Sequence, residues 1–246
     1  MIDYHVHIGQ FNEKYFDAHH IFNIIASTLK KTRITEIYYS STSSCRDDVE
    51  FEKIEEEILY AQSFSSEELK VKPYLWFVPK YIEQKIDINT VTKKIDYCGI
   101  KIHPFAQNWN FENKQHIATL HHLFTWADKN SKYVLIHCGN PKSVLPNRFE
   151  SFFNKYTNAK FILAHSNPIE ITSLMVNKYQ NVFCDTACLQ IQPLNKLKNQ
   201  IINSSKILFG SDFPISHYYN KALFNKKRTL EKEYFYNCNL LKYFNK

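Results

Sequence analysis

Short apolar runs alternate with longer helix-forming segments along the whole chain, and this alternation limits the fold more than any other feature of the sequence. Eight runs have the length and β-branched content of buried strands, and the first residues of consecutive runs are about 20–40 residues apart. Each interval leaves room for one crossover helix. The predicted strands are residues 2–8, 34–40, 72–78, 98–103, 133–137, 160–165, 181–185 and 206–212.

The intervals between these strands carry helical patterns. Residues 114–129 repeat apolar side chains at helical spacing, and residues 49–69 begin with a glutamate-rich segment. An eighth helix is expected from Leu223 onwards. Alternating strands and helices pair in parallel through right-handed crossovers, and eight units close into a barrel more readily than they form an open sheet. The sequence therefore predicts an α/β fold, the (β/α)8 or TIM barrel, as a single domain over residues 1–246.

Length and composition agree with this fold. The 246 residues fall within the range in which α/β barrels form one domain, and a hydrophobic content of 44% can fill a large core. Six cysteines without a CxxC pair do not resemble a disulfide framework, so free thiols in a reducing compartment are expected. No targeting pattern opens the chain, and no stretch reaches the roughly 18 apolar residues of a membrane span. We therefore expect a cytoplasmic location and no membrane partner.

The formal net charge of +7 comes mainly from scattered lysines. The densest basic cluster, residues 221–228, follows the last predicted strand. Blocks of like charge usually face solvent, so we interpret this cluster as a solvated surface and not as a nucleic-acid-binding site. A small molecule is therefore the expected partner, and a homo-oligomer is left open.

Two histidines lie on one face of the first predicted strand. His5 and His7 are two residues apart, so their side chains point to the same side, whereas Val6 and Ile8 point to the other. A strand that faces a barrel interior has little reason to bury two imidazoles unless another group satisfies their nitrogens. A bound metal ion would do so.

Polar residues also close several later strands. His137 ends the run YVLIH, His165 ends FILAH and Asp212 ends ILFGSD. Burial of such a group without a partner costs several kcal/mol for a charge. The carboxyl ends of the strands are where barrel enzymes build their active sites, so the shared placement indicates one site.

Glycine is scarce, and its positions support this interpretation. The chain has four glycines where average usage of about 7% would give roughly 17. Each of the four lies within two residues of a proposed site residue, where the backbone needs unusual angles or a close approach. They are Gly9, Gly99, Gly139 and Gly210.

Four motifs resemble those of a known family, the amidohydrolase superfamily, and within it the amidohydrolase-2 group. They are DYHVHIG at residues 3–9, VLIHCG at 134–139, ILAHS at 162–166 and FGSDFP at 209–214. The motifs keep the family's order and span nearly the whole chain. This group contains metal-dependent hydrolases and the aminocarboxymuconate-semialdehyde type of decarboxylase.

The resemblance implies a divalent metal held by His5, His7, His137 and Asp212. It implies that His165 acts in catalysis or binds a second metal. Zinc suits a nitrogen-rich set with one carboxylate, and one ion is favoured over two. Asp212 would act as general base and acid towards a metal-activated water.

A further pair, Lys101 and His103, closes the fourth predicted strand. Some family members carry a carbamylated lysine there that bridges two metals, whereas in others the pair faces the substrate. A cationic Lys101 would favour an anionic substrate. Asp185, at the end of the seventh strand, is either an acceptor that orients a ligand histidine or a strand-end cap.

These features lead to a metal-dependent hydrolase that cleaves an amide, lactone or other ester bond of a small molecule. The main alternative is a non-oxidative decarboxylase of a small unsaturated or aromatic acid with the same ligands. A TatD-like nuclease fits less well, because Lys101 replaces a glutamate on the fourth strand. A catalytically inactive scaffold fits less well because every expected ligand is present.

Overall fold

The structure is a computed structural model that describes residues 1–139, 144–218 and 228–240. These residues form two compact units. The first contains Met1–Pro73 and the described residues that follow Leu208, and the second is Tyr74–Leu208. The single domain expected from the sequence therefore stays a prediction, and the two units are described separately.

The described strands form a single sheet of nine members, which is mixed because one pair is antiparallel and the others are parallel. In the first unit the order is β2-β1-β3-β4, with β2 antiparallel to β1 and the other pairs parallel. In the second unit β4 to β9 pair in sequence order, and every pair is parallel. The strands are β1 (Ile2–Phe11), β2 (Lys14–Phe16), β3 (Glu36–Ser41), β4 (Lys70–Trp76), β5 (Gly99–Ile102), β6 (Tyr133–His137), β7 (Lys160–Ala164), β8 (Val182–Asp185) and β9 (Ile207–Leu208).

Nine α-helices are described, and most of them separate consecutive parallel strands as the alternation predicts. The interval between β4 and β5 differs, because two short helices replace the single expected crossover helix. The basic cluster at 221–228 and the predicted helix start at Leu223 lie outside the described residues, except for Arg228. The helices are α1 (Ala18–Thr32), α2 (Phe51–Gln62), α3 (Lys80–Glu83), α4 (Ile88–Val91), α5 (Lys114–Lys129), α6 (Glu150–Lys155), α7 (Ile169–Lys178), α8 (Ile191–Gln200) and α9 (Leu230–Leu240).

The last predicted strand, residues 206–212, is shorter than expected. Only Ile207–Leu208 pairs as a strand with β8. The residues after it bond to β1 instead, where Tyr4 N–H donates to Phe209 O at 2.8 Å and His7 N–H donates to Phe213 O at 2.7 Å. A regular ladder cannot continue there, because Asp212 has a φ of 54° in the left-handed region. The parallel α/β arrangement is confirmed, whereas closure into a full (β/α)8 barrel stays a prediction.

Strand β2 was not predicted from the sequence. It forms a hairpin with the end of β1, in which Phe11 pairs with Lys14 across two loop residues. Asn12 takes the positive φ of 52° that so tight a reversal requires. The segment has no apolar run of strand length, so periodicity alone could not reveal it.

The core of the first unit lies beneath β1 and β3. Val6, Ile8, Ile37 and Tyr39 are at most 1% exposed and pack with α1 and α9. None of the described helices has the length and apolarity that a membrane span requires. This core fixes one face of β1, so the histidines on its other face occupy a defined position.

Candidate metal centre

Strand β1 presents two buried imidazoles on one face. His5 and His7 are 1% and 2% exposed, and their ring centroids lie 5.0 Å apart with an interplanar angle of 66°. The alternation of side chains along a strand places both rings opposite the core residues Val6 and Ile8. The apolar core on one face thus holds the two histidines on the other.

Asp212 reaches these histidines through the backbone of the turn that carries it. Its N–H donates to His5 O at 2.8 Å. Its carboxylate oxygen Oδ1 lies 3.4 Å from His5 Nε2 and 3.0 Å from His7 Nε2. One potential ligand atom from each of the three residues lies within 4.8 Å of the other two, and all three residues are buried. Two nitrogens and one oxygen therefore converge on a volume that suits a single cation.

The other ring nitrogen of His7 has its own partner. Ser40, at 0% exposure on β3, places Oγ 3.1 Å from His7 Nδ1. When Nδ1–H donates to this hydroxyl, Nε2 is unprotonated and can bind a metal. Ser40 is thus placed to orient the His7 ring and to accept Nδ1–H in the tautomer that binds a metal through Nε2.

Asp3 opens the first motif and is fully buried. Its Oδ1 accepts the N–H of His5 at 3.1 Å and the N–H of Ser211 at 3.0 Å, and its Oδ2 accepts the hydroxyl of Tyr234 at 3.2 Å. Burial raises the pKa of the Asp3 carboxyl to about 7, and these hydrogen bonds oppose part of that rise. One carboxyl group therefore joins the strand of His5 to the turn of Asp212.

The second unit contains a group of three histidines at the ends of β5, β6 and β7. The rings of His103 and His137 stack at 3.6 Å between centroids with 13° between their planes. His137 Nδ1 lies 3.1 Å from His165 Nε2, so one of these nitrogens donates to the other. His165 has a φ of 66°, which turns its side chain out of the regular β geometry.

Lys101 and Asp185 lie deeper in the second unit. Lys101 is 1% exposed, and its Nζ lies 5.6 Å from the ring centroid of Trp76. Asp185 Oδ1 accepts the N–H of His165 at 2.7 Å and that of Ala187 at 3.1 Å. Burial raises the pKa of the Asp185 carboxyl, while the charges of His165 and Lys101 oppose the rise. Asp185 therefore fixes the position of the backbone that carries the His165 ring.

The structure thus brings the predicted site residues into two clusters. His5, His7 and Asp212 meet in the first unit, and the second unit gathers His103, His137 and His165 with Lys101 and Asp185 nearby. The roles assigned to these residues stay predictions. Four contributing residues were not predicted from the sequence: Asp3, which lies in the DYHVHIG motif, Ser40, which ends a predicted strand, Trp76 and Tyr234.

Neither a family model nor a curated protein matches the sequence of this chain. Several solved structures do match it. A protein assigned as an amidohydrolase from Staphylococcus aureus aligns with a TM-score of 0.60 at 11% identity, covering 98% of this chain and 99% of that chain. The 2,6-dihydroxybenzoate decarboxylase from Rhizobium gives 0.54 at 12%, covering 99% and 98%. A TatD family hydrolase from Entamoeba histolytica gives 0.56 at 15%, covering 85% and 73%.

This chain has their fold. The resemblance drawn from the sequence motifs is confirmed at that level, because structures of the amidohydrolase type cover almost all of the chain. The neighbours include both hydrolases and decarboxylases. Fold alone does not select a reaction, so the function must be argued from the site.

Proposed function

We propose that this chain is a metal-dependent hydrolase that cleaves an amide, lactone or other ester bond of a small molecule. The observation that carries the proposal is the buried cluster of His5, His7 and Asp212, whose ligand atoms lie within 4.8 Å of one another. Three side chains of this kind rarely meet in a core without a ligand, because each loses hydration on burial. A divalent cation compensates all three at once.

The residues present fit such an ion. Imidazole nitrogen and carboxylate oxygen are common zinc ligands, and a catalytic zinc site keeps one position for water or substrate. Ser40 supports the fit, since its hydroxyl lies 3.1 Å from Nδ1 of His7 and leaves Nε2 for the metal. We take zinc as the native ion, a single ion per chain, and His137 as a further ligand carried over from the family resemblance.

The metal, when bound, supplies a Lewis acid that activates water at neutral pH. Asp212 takes a proton from the attacking water at a carboxylate oxygen and returns it to the leaving group. His165 donates a hydrogen bond to the scissile carbonyl from its ring. Asp185 accepts the backbone N–H of His165 at 2.7 Å, and this hydrogen bond fixes the position of the backbone that carries the His165 ring.

Lys101 supports an anionic substrate group. Its side chain is 1% exposed in the second unit, and the Trp76 ring lies 5.6 Å from its Nζ. A buried ammonium group favours a carboxylate or a developing negative charge. The alternative for this residue is a carbamate that bridges two metals.

The buried Lys101 beside Trp76 also favours a second candidate reaction, non-oxidative decarboxylation of a small aromatic or unsaturated acid. Lys101 would bind the carboxylate, and the neighbouring Trp76 and His103 rings, which are parallel within 5°, offer flat surfaces to a planar acid. A decarboxylase of an aromatic acid is among the proteins that share the fold. Hydrolysis and decarboxylation therefore belong in one substrate screen.

The test of the proposal is the metal content per chain of protein purified without added metal. We expect one ion in the wild type and almost none in His7→Ala or Asp212→Asn, with the helical content unchanged. The matched control is His122→Ala, which removes an exposed histidine that pairs with Asp87 at 2.9 Å and should keep its ion. A wild type that binds no divalent ion, or that turns over substrate equally well after complete chelation, would refute the proposal.

The variant Lys101→Ala distinguishes a site with one metal ion from a site in which a carbamylated Lys101 bridges two ions. One ion that survives this substitution supports a mononuclear site in which Lys101 faces the substrate. Two ions that fall to one support the bridging carbamate. Assays of the loaded protein on esters, lactones, amides and aromatic acids then distinguish hydrolysis from decarboxylation by the product that accumulates.

A further inference from the structure

The C-terminal helix α9 touches the turn that carries Asp212. Tyr234 and Asn237 lie three residues apart and so share one face of the helix. Tyr234 is fully buried, and its ring lies 5.0 Å from that of Phe213. Nothing in the proposed reaction uses this helix, although it contacts the residues on both sides of Asp212.

Tyr234 acts on the turn through Asp3. Its hydroxyl donates to Asp3 Oδ2 at 3.2 Å, while Asp3 Oδ1 accepts the N–H of Ser211 at 3.0 Å. The same Oδ1 accepts the N–H of His5 at 3.1 Å. The hydroxyl of Tyr234 therefore orients the one carboxyl group that joins His5 to the residue before Asp212.

Asn237 acts on the turn directly. Its Nδ2 lies 3.4 Å from Ser211 O and 3.4 Å from Ser216 Oγ, so it contacts the chain on either side of Asp212. Ser216 in turn donates its backbone N–H to Asp212 O at 2.8 Å. The turn is thus held at both ends by one side chain of α9.

Asp212 needs this support because of its backbone. A φ of 54° lies in the left-handed region, which costs energy for a residue with a Cβ, although aspartate tolerates it better than most, and the surroundings help to maintain it. If the turn relaxed, the carboxylate would move away from Nε2 of His5 and His7. The hydrogen bonds from α9 oppose this relaxation from outside the turn, together with those that β1 makes to the same turn.

We infer that Tyr234 and Asn237 are positioning residues for the metal centre, so that the C-terminal helix sets the affinity for a divalent ion through the geometry of Asp212. This inference rests on the proposed metal site. It assigns to α9 a role beyond covering the core of the first unit. Both residues act on the proposed ligands through the turn that carries Asp212 or through Asp3.

The experiment measures the Zn²⁺ dissociation constant of the full chain by competition with a chromogenic chelator. Tyr234→Phe removes a single hydroxyl, and Asn237→Ala removes the amide that spans the turn. Asn239→Ala is the matched control, because Asn239 lies on the same helix and its Nδ2 donates to Phe235 O of that helix at 2.9 Å. The thermal midpoint of each metal-free protein is measured in parallel.

We expect Tyr234→Phe and Asn237→Ala to weaken Zn²⁺ binding by roughly 10-fold, the lower end of the range seen when direct partners of metal ligands are removed. Asn239→Ala should bind like the wild type. Lower thermal midpoints with unchanged Zn²⁺ affinity in both variants would overturn the inference, since they would show a structural role alone. A wild type that binds no Zn²⁺ would instead overturn the proposed function and this inference together.

Discussion

His7 uses its two ring nitrogens for different contacts. Nε2 faces the carboxylate of Asp212 at 3.0 Å, whereas Nδ1 faces the hydroxyl of Ser40 at 3.1 Å. A serine hydroxyl is a neutral acceptor, so it orients the ring without adding a second negative charge to the cluster. Ser40 Oγ can accept Nδ1–H, and in that tautomer Nε2 of His7 is available to a metal.

We expect Ser40→Ala to weaken binding of Zn²⁺ by roughly 10- to 100-fold, because His7 loses the partner of Nδ1 and samples other ring orientations. Isothermal titration calorimetry on metal-free protein measures this change. Ser40→Thr keeps the hydroxyl and should retain most of the affinity.

The matched control is Ser44→Ala in the same buried segment. Among the described residues, Ser44 Oγ has no hydrogen-bond partner, so its removal should leave Zn²⁺ affinity unchanged. Equal affinities for Ser40→Ala and the wild type would show that His7 does not depend on the hydroxyl. Equal losses in both variants would point to a general disturbance of the segment.

Among the strands and helices, the pairing of β5 with β6 depends on a single glycine. Gly99 is the partner of Tyr133 in the parallel ladder, and a Cβ at Gly99 would lie 2.2 Å from Tyr133 O. A backbone atom cannot move aside as a flexible side chain can, so the close approach of the two strands requires a residue without a Cβ. These two strands carry Lys101 and His137.

We expect Gly99→Ala to lower the free energy of unfolding by about 3 kcal/mol, because the added methyl group forces the two strands apart. Urea denaturation followed by circular dichroism gives this value. Gln115→Ala, an exposed substitution in the first turn of α5, should change it by at most about 0.5 kcal/mol. An unchanged denaturation midpoint for Gly99→Ala would contradict the close approach seen in the structure.

Elements differed in how far the sequence could predict them. Helix α5 occupies Lys114–Lys129 as predicted, since Asn113 caps its first turn and accepts the N–H groups of Gln115 and His116. Strand β6 also matches its prediction, Tyr133–His137. The hairpin strand β2 was missed because three residues leave too short a pattern. Helix α2 ends at Gln62, well before the predicted residue 69. The predicted end was too late because no periodic signal in the sequence marks where this helix stops.

At the scale of the whole molecule, a metal bound only to the folded chain adds to its stability. Free Zn²⁺ at about 100 times its dissociation constant should raise the free energy of unfolding by about 2.7 kcal/mol. For a chain of this size that corresponds to a rise of roughly 5–11 °C in Tm. Differential scanning calorimetry with and without a chelator tests this expectation.

The variant Asp212→Asn provides the control for this linkage. It should show no rise in Tm with Zn²⁺, because one of the three converging ligand atoms has lost its charge. A rise equal to that of the wild type would place the stabilising metal elsewhere in the molecule. Loss of cooperative unfolding in the metal-free variant would be a folding defect, which circular dichroism detects separately.

The sequence alone determined the features that depend on local pattern. The alternation of strands and helices, the same-face pair of His5 and His7, and the polar strand ends of His137, His165 and Asp212 all follow from periodicity and from the chemistry of burial. The motifs added the resemblance to the amidohydrolase type, which the solved structures support at the level of the fold.

Only the tertiary structure decided which atoms meet. The approach of Asp212 to His5 and His7 depends on a left-handed residue and on hydrogen bonds between segments about 200 residues apart, such as Ser211 N–H to Asp3 Oδ1. The partnership of Ser40 with His7 and of Tyr234 with Asp3 likewise joins distant parts of the chain. No local pattern encodes such contacts, because they arise when the packing of the core brings separate strands and helices together.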